Sequence, residues 1–163
     1  MNYGTMMTKA AKAQAPEYIP MVSVHLVREG RQKYSVSGPL NSPGVLYSQF
    51  AKMFRHRVQE KVVAVFVNTQ LIPVGVQVAG IGTLNTCAID IPGIFRAAIL
   101  SGAAGLVLMH NHPSGDCAPS GEDIDVTKSM IKAGKLLNIR LLDHIIMTDD
   151  NYHSMREEED VKF

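Results

Sequence analysis

The length, composition and charge of this chain exclude several classes of protein. Its 163 residues are 46% hydrophobic, which is enough for one domain with a substantial core. Its 16 basic and 15 acidic side chains give a formal charge of +1, without the excess of cations that phosphate neutralisation by a nucleic-acid-binding domain requires. Two cysteines form no disulfide-rich pattern and indicate a reducing compartment.

Neither export nor membrane insertion is expected. The first twenty residues hold no unbroken apolar stretch of the kind that secretory signals contain. The longest apolar region, 89–109, is interrupted by charged residues and a proline, so it does not predict a membrane span. We expect a cytoplasmic protein in which residues 1–20 form a flexible arm and residues 21–163 form the folded domain.

The first predicted elements are a hairpin and a helix. Alternating apolar residues over 22–27 and 33–37 flank a glycine and predict a β-hairpin. The segment 41–43 then supplies a helix cap followed by proline, and apolar residues recur at helical spacing after it. We therefore predict a helix from about residue 43 to 57.

Strands and helices alternate over the rest of the chain. The continuous apolar run 62–67 predicts a buried central strand, and 71–79 predicts a second strand whose start is weakened by a proline. Later elements follow the same signals: a helix from about 90 to 101, a buried strand at 105–109, a helix from Ser120 to Asn138, and a final strand at 140–147. This order predicts a three-layer α/β/α arrangement.

The segment from His110 to Asp123 carries the clearest chemical pattern. Side chains alternate in an extended strand, so His110 and His112 project in the same direction and can reach one ion. A turn follows, and the first turn of the helix that Ser120 caps brings Asp123 back toward that ion. Three protein ligands leave a fourth tetrahedral position for water, as in hydrolytic zinc sites, so we predict one catalytic zinc ion.

Neighbouring residues leave alternatives open. Cys117 could close the site as a fourth ligand, and Asp116 or Glu122 could replace Asp123 if the loop folds otherwise, although the spacing favours Asp123. The Asp143–His144 pair could orient a metal ligand. Because polar pairs at strand ends are commonly structural, we leave this pair outside the predicted site.

The spacing of these residues resembles a known signature. The order H-x-H-P-x6-S-x2-D is similar to that of the JAMM metalloproteases, also called MPN+ or JAB proteins. The string HNHPSGD, followed by a Pro–Ser and a Glu–Asp pair, resembles the RadC family within that group. Similar strings lie at 40–43, 82–85 and 142–146, and the resemblance covers roughly residues 40–156.

The resemblance to the RadC family implies a fold, a set of site residues and a reaction. It implies the three-layer α/β/α JAMM fold, which is like that of cytidine deaminases and has a mixed central sheet. His110, His112 and Asp123 would bind one zinc ion per chain, Ser120 would stabilise the oxyanion, and Glu60 would act as general base toward a metal-activated water. The implied substrate is a peptide or isopeptide bond in a protein or peptide.

Two departures from the family pattern keep other functions open. Asp90–Ile91 stand where RadC-type proteins usually carry a His–Pro pair, and we expect a stand-alone domain without the helix-hairpin-helix region of larger members. One alternative is a DNA-repair associated protein acting on or near nucleic acid, which the near-neutral charge does not support. The other is a metal-binding interaction module without turnover. Neither the substrate nor the oligomeric state is predicted.

Overall fold

The computed structural model describes Ser23 and residues 38–82 and 89–163. The described residues contain three α-helices: α1 (Pro43–Phe50), α2 (Ile91–Leu100) and α3 (Gly121–Leu137). They also contain five strands: β1 (Lys61–Val67), β2 (Pro73–Ile81), β3 (Gly105–Asn111), β4 (Arg140–Met147) and β5 (Tyr152–Ser154).

The strands form one mixed sheet in the order β2-β1-β3-β4-β5. β1 is antiparallel to both β2 and β3, and β4 is antiparallel to β5. Only the β3–β4 pair among these is parallel. A parallel pair needs a connection that returns the chain to the same end of the sheet, and α3 supplies that connection. The continuous apolar runs of β1 and β3 lie in the middle of the sheet, as buried strands should.

Alternate residues of the central strands pack against helices on opposite faces of the sheet. One face packs against α1 through a cluster that includes Leu46, Phe50, Val63, Val107 and Met109. The other face packs against α2 and α3 through a cluster that includes Ile94, Phe95, Leu106, Leu108 and Met130. The predicted three-layer α/β/α arrangement with a mixed central sheet is therefore confirmed.

The predicted signals at the helix ends have the expected geometry. The side chain of Asp90 accepts a hydrogen bond from the Gly93 N–H at 3.0 Å and caps α2. Ser120 and Asp123 form a reciprocal capping box at the start of α3. α3 ends at Asn138, which adopts the left-handed conformation with φ of 56°.

The structure differs from the predicted elements most clearly in three places. The helix predicted over 43–57 stops at Phe50 and continues as a 3-10 turn (Ala51–Met53), because the Phe54 N–H bonds to the carbonyl three residues earlier. The second strand begins at Pro73 rather than at residue 71, because Leu71 sits in a turn with φ of 60°. The short β5 was not predicted, since three residues show no alternation.

Pro73 is tolerated because β2 lies at an edge of the described sheet. The predicted hairpin over 22–37 and the predicted arm over 1–20 lie outside the described residues, apart from Ser23. Of the helices that the structure describes, none is both long enough and apolar enough to cross a lipid bilayer.

Candidate metal centre

Three segments meet at the end of the sheet where β3 ends and β1 begins. His110 lies near the end of β3, and His112 follows directly after that strand. Asp123 lies in the first turn of α3. Because β1 is antiparallel to β3, with Val62 opposite His110, the start of β1 and the preceding Glu60 lie at the same end of the sheet.

The side chains of these residues converge on a small volume. The Nε2 atoms of His110 and His112 are 3.0 Å apart. Asp123 Oδ1 lies 3.2 Å from His110 Nε2, and Asp123 Oδ2 lies 3.5 Å from His112 Nε2. A Glu60 carboxylate oxygen lies 3.9 Å from His110 Nε2. The structure thus brings together two imidazoles and two carboxylates from three separate segments of the chain.

The loop after β3 orients His112. Its Nδ1 donates a hydrogen bond to the backbone carbonyl of Asp116 at 2.8 Å. A carbonyl can only accept, so the proton of a neutral His112 ring lies on Nδ1 and the lone pair of Nε2 faces His110. The hydrogen bond with Asp123 raises the pKa of His112 above its ordinary value, and the Asp116 carbonyl adds to this effect against the opposing influence of burial.

The start of α3 orients Asp123. Its Oδ2 accepts hydrogen bonds from the Ser120 N–H at 2.8 Å and from the Ser120 hydroxyl at 2.5 Å, whereas its Oδ1 faces His110. Burial alone would raise the pKa of Asp123, but hydrogen bonds with His110, His112 and Ser120 outweigh burial and hold that pKa well below its usual range. Asp123 is therefore a carboxylate anion at neutral pH.

This donor set fits a metal cation. Two ring nitrogens at 3.0 Å cannot both present lone pairs to each other unless a proton or a cation lies between or beside them. Imidazole nitrogens and carboxylate oxygens are the donors that divalent transition metals take in proteins. The residues at this end of the sheet could therefore hold a metal ion.

The backbone around Glu60 is held in place by Asn111, the residue between the two histidines. The Asn111 Oδ1 accepts a hydrogen bond from the Lys61 N–H at 2.9 Å, and its Nδ2 donates to the Gln59 carbonyl at 3.3 Å. The Gly82 N–H donates to the Glu60 carbonyl at 2.8 Å. This role of Asn111 was not predicted, although the residue lies inside the His110–Asp123 motif.

Asp143–His144 was left outside the predicted site, but the structure places His144 in contact with His110. Its Nε2 lies 2.8 Å from the Nδ1 of His110, and its Nδ1 lies 2.6 Å from the hydroxyl of Thr127. Burial lowers the pKa of His144 well below its ordinary value, with a further contribution from His110. Candidate ligand atoms of His110, Asp123 and His144 also lie within 4.8 Å of one another, which makes a second possible ligand set.

The alternatives considered for the loop take other positions. The Asp116 carboxylate accepts a hydrogen bond from the Ala118 N–H at 2.9 Å, within its own loop. Glu122 is exposed on α3. Cys117 is half-buried and packs against the cluster of Ile146 and Met155. Among the described residues, the group that could hold a metal ion is His110, Asp123 and His144, and none of the three loop residues belongs to it.

A cleft of about 250 Å³ opens beside His112. Apolar side chains of Phe54 and Met147 line it, together with the charged residues Arg57 and Asp150. His56 binds the neighbouring Asp149 through its backbone N–H at 2.9 Å and through its ring at 3.2 Å, which joins the end of the α1 segment to the loop after β4. The His112 imidazole therefore adjoins a space that a ligand can enter.

Comparisons with known proteins agree with this geometry. A family model described as "RadC-like JAB domain" matches residues 40–160. Similar curated proteins include three named "UPF0758 protein". The one from Methanosarcina mazei is 37% identical over 76% of this chain and 54% of its own length. The one from Carboxydothermus hydrogenoformans is 39% identical over 78% and 58%, and the one from Methanosarcina acetivorans is 33% identical over 96% and 66%.

The chain therefore spans between about half and two thirds of the length of these relatives. The matched segment, 40–160, includes the converging histidines, both carboxylates and the capping serine. With a family model that covers most of its length and with relatives above 30% identity, this chain belongs to the RadC-like JAB domain family.

Proposed function

We propose that this chain is a zinc-dependent metallohydrolase that cleaves a peptide or isopeptide bond. The observation that carries the proposal is the convergence of His110, His112 and Asp123 at contact distances of 3.0–3.5 Å, with the Glu60 carboxylate 3.9 Å from His110. A metal site that serves only to hold the fold would use its full set of protein ligands and would not need a second carboxylate beside them.

The residues proposed to hold the zinc ion are His110 and His112 through Nε2 and Asp123 through Oδ1. Two neutral imidazoles and one carboxylate suit zinc, and three protein ligands leave one tetrahedral position open. Bound zinc would supply the Lewis acidity for the attack of water on an amide carbonyl.

Glu60 is proposed as the general base. Its side chain is only 14% exposed, and its backbone is held from both sides by Asn111 and Gly82, so the carboxylate has a defined position. It would take a proton from the attacking water and return it to the leaving amine. Such proton transfer requires hydrogen-bond reach to the water, which a position beside the His110 nitrogen provides.

Ser120 is proposed to stabilise the oxyanion. Its hydroxyl donates a hydrogen bond to Asp123 Oδ2, and its oxygen accepts one from the Asp123 N–H at 3.1 Å. Rotation of that proton toward a substrate oxygen would leave Asp123 Oδ2 with the remaining hydrogen bond from the Ser120 N–H. The same Ser120 hydroxyl therefore takes part in the cap of α3 and in the proposed stabilisation of the oxyanion.

The cleft beside His112 favours a peptide or protein as substrate. Pockets that enclose a complete drug-sized ligand measure roughly 300–1,000 Å³. At about 250 Å³, this cleft holds only a part of a ligand. A side chain of a longer substrate can occupy the cleft while the backbone of that substrate lies beside the metal centre.

Metal analysis of the purified protein tests the ligand set. We expect about one zinc ion per chain in the wild type and its loss in His112→Ala. His153→Ala is the matched control, because His153 pairs with Asp160 away from the centre and its loss should leave the zinc content unchanged. Undiminished zinc in His112→Ala would overturn the proposed ligands and would favour the set that includes His144.

A mass-spectrometric assay tests the reaction. The zinc-loaded wild type and Glu60→Gln are incubated with a peptide library and with proteins joined by isopeptide bonds. We expect cleavage of at least one class of bond by the wild type only. If the wild type binds zinc at these residues and cleaves neither class, the chain is a metal-binding module and the hydrolase proposal is wrong.

A further inference from the structure

We propose that Thr127 and His144 are positioning residues that fix the tautomer of His110, so that its unprotonated Nε2 faces the metal centre. The proposal relies on the proposed function only for the identity of that centre. Its physical basis is a chain of buried hydrogen bonds that runs from the backbone of α3 through Thr127 and His144 to His110.

The chain starts at an acceptor that cannot donate. The Thr127 hydroxyl donates to the backbone carbonyl of Asp123 at 2.6 Å, and the same oxygen lies 2.6 Å from His144 Nδ1. The hydroxyl has a single proton, and the carbonyl can only accept it. The contact between Thr127 and His144 is therefore satisfied when the His144 Nδ1–H donates to the threonine oxygen.

The proton position on His144 then decides the next link. A neutral imidazole with its proton on Nδ1 presents a lone pair on Nε2. That Nε2 lies 2.8 Å from the Nδ1 of His110, so His110 donates its own Nδ1–H to it. His144 is 0% exposed, so both contacts at its ring lie inside the protein. His110 is consequently held with a proton on Nδ1, which leaves its Nε2, beside Asp123 and His112, available to a cation.

The two histidines of the centre reach the same tautomer by different means. His112 donates to a peptide carbonyl, which has no alternative proton state. His110 donates to another imidazole, which can carry its proton on either nitrogen. Without the Thr127 hydroxyl, the proton of His144 can move to the Nε2 atom of His144, which then donates to His110 Nδ1. The proton of His110 would then lie on its Nε2, the nitrogen that faces the centre. Thr127 therefore selects between a binding and a non-binding form of His110.

The same contacts distinguish a positioning role of His144 from that of a metal ligand. Its two ring nitrogens are already bonded, one to Thr127 and one to His110. A metal ion on His144 Nε2 would have to displace the bond to His110. Support of a ligand imidazole by a hydrogen bond on its second nitrogen is common in metal sites, and loss of such support typically weakens metal affinity by about 10- to 100-fold.

Zinc affinity of Thr127→Val and Thr127→Ser is the first test. Valine keeps the shape of threonine and removes only the hydroxyl, whereas serine keeps the hydroxyl. We expect Thr127→Val to raise the Kd for zinc by about 10- to 100-fold, measured by competition with a chromophoric chelator, and Thr127→Ser to stay near the wild type. Equal affinity of both variants and the wild type would overturn the proposal.

The proton position on His144 is the second test, and it needs no measurement of activity. Long-range ¹H–¹⁵N spectra of histidine-labelled protein at mildly alkaline pH, where free imidazole is neutral, distinguish the two tautomers. We expect His144 to carry its proton on Nδ1 in the wild type and to shift toward the Nε2–H form in Thr127→Val. An Nε2–H form of His144 in the wild type would overturn the proposal even if the valine variant does not fold.

The two proposals fail in different ways. A wild type that binds no zinc contradicts the proposed function, while its His144 tautomer still decides whether Thr127 and His144 act as positioning residues. A wild type that binds zinc, with a Thr127→Val variant that has unchanged zinc affinity and an unchanged His144 tautomer, contradicts only the positioning role.

Discussion

The two sides of the candidate metal centre differ in what holds them. The inner wall consists of four residues bonded to one another inside the fold: His110, Asp123, Thr127 and His144. The outer wall consists of three residues that adjoin solvent or the cleft: Glu60, His112 and Ser120. His110 has a side chain that is 1% exposed, whereas the side chain of His112 is 18% exposed.

This difference separates two tasks. The inner wall is buried and fully bonded, so a change there affects folding and the position of the ligands together. The outer wall is held by backbone contacts of loops and caps, so its side chains can meet a substrate without breaking the core. We therefore expect substitutions in the outer wall to change activity more than stability, and substitutions around the inner wall to change stability and zinc affinity together.

The largest effect is expected from Glu60→Gln in the outer wall. Glutamine keeps the shape of the side chain but cannot accept the proton, so kcat/KM of the zinc-loaded protein should fall by about 100- to 10,000-fold. The unfolding midpoint and the zinc content should match those of the wild type. A variant that loses zinc or stability along with activity would show that Glu60 belongs functionally to the inner wall.

The next largest effect is expected behind the inner wall, at Asp143. This buried carboxylate accepts hydrogen bonds from the Ser154 hydroxyl at 2.7 Å and the His144 N–H at 2.8 Å. Asp143→Ala leaves both donors unpaired and should lower the free energy of unfolding of the metal-free protein by about 3 kcal/mol in urea titrations. Asp143→Asn keeps one acceptor and should cost less. Equal losses in the two variants would contradict this explanation.

A smaller effect is expected from Ser120→Ala, which removes the cap of α3. The loss of stability should be about 1 kcal/mol, and zinc affinity should also fall because Asp123 Oδ2 loses a hydrogen-bond donor. Ser42→Ala is the matched control, since Ser42 caps α1 away from the centre. It should show a similar loss of stability without any change in zinc affinity. An equal loss of zinc affinity in both variants would show that this loss arises from helix capping alone.

The smallest expected effect is on the pH dependence of stability. As the pH rises, the stability of the metal-free protein should fall, whereas the stabilisation by zinc should grow. The pKa of His112 is raised in the fold, so its contribution to the stability of the metal-free protein is complete below the ordinary value of 6.5 and is lost as the pH rises through the folded pKa. Zinc needs the unprotonated ring, so the increase in Tm caused by zinc should grow over the same range. Scanning calorimetry at several pH values measures both trends.

His112→Gln is the control for the pH trend, since it removes the titrating ring. Both slopes should flatten over that range in this variant. Asp123 does not interfere, because its lowered pKa places its own loss of stability at acidic pH, below the ordinary carboxyl value of 3.8. Parallel slopes in the metal-free and zinc-loaded protein would contradict the assignment of His112 as a ligand.

Much of the fold could be predicted from local patterns. The uninterrupted apolar runs of β1 and β3 indicated central strands, and the caps at Asp90 and Ser120 fixed the starts of two helices. The end of α1 could not be predicted in this way, because the same apolar residues can be buried by an α-helix or by a 3-10 turn. β5 is too short to carry any pattern of its own.

The convergence at the metal centre could be predicted only in part. The spacing of His110 and His112 and the capping box at Asp123 are local features, so the sequence indicated them directly. The contact of His144 with His110 depends on the parallel pairing of β3 with β4, which places His144 opposite Leu108. Its contact with Thr127 depends on the docking of α3. Neither long-range relation leaves a signal in the composition of a strand that is otherwise apolar.

The parallel pairing of β3 with β4 also has a consequence for the order of folding. A chain that has formed only β1, β2 and β3 has paired antiparallel strands, but it does not yet have Asp123 or His144 beside His110. Those side chains arrive when α3 crosses over and β4 docks. An ion at this centre therefore binds after the slow long-range step, and it should prolong the lifetime of the native state without accelerating its formation.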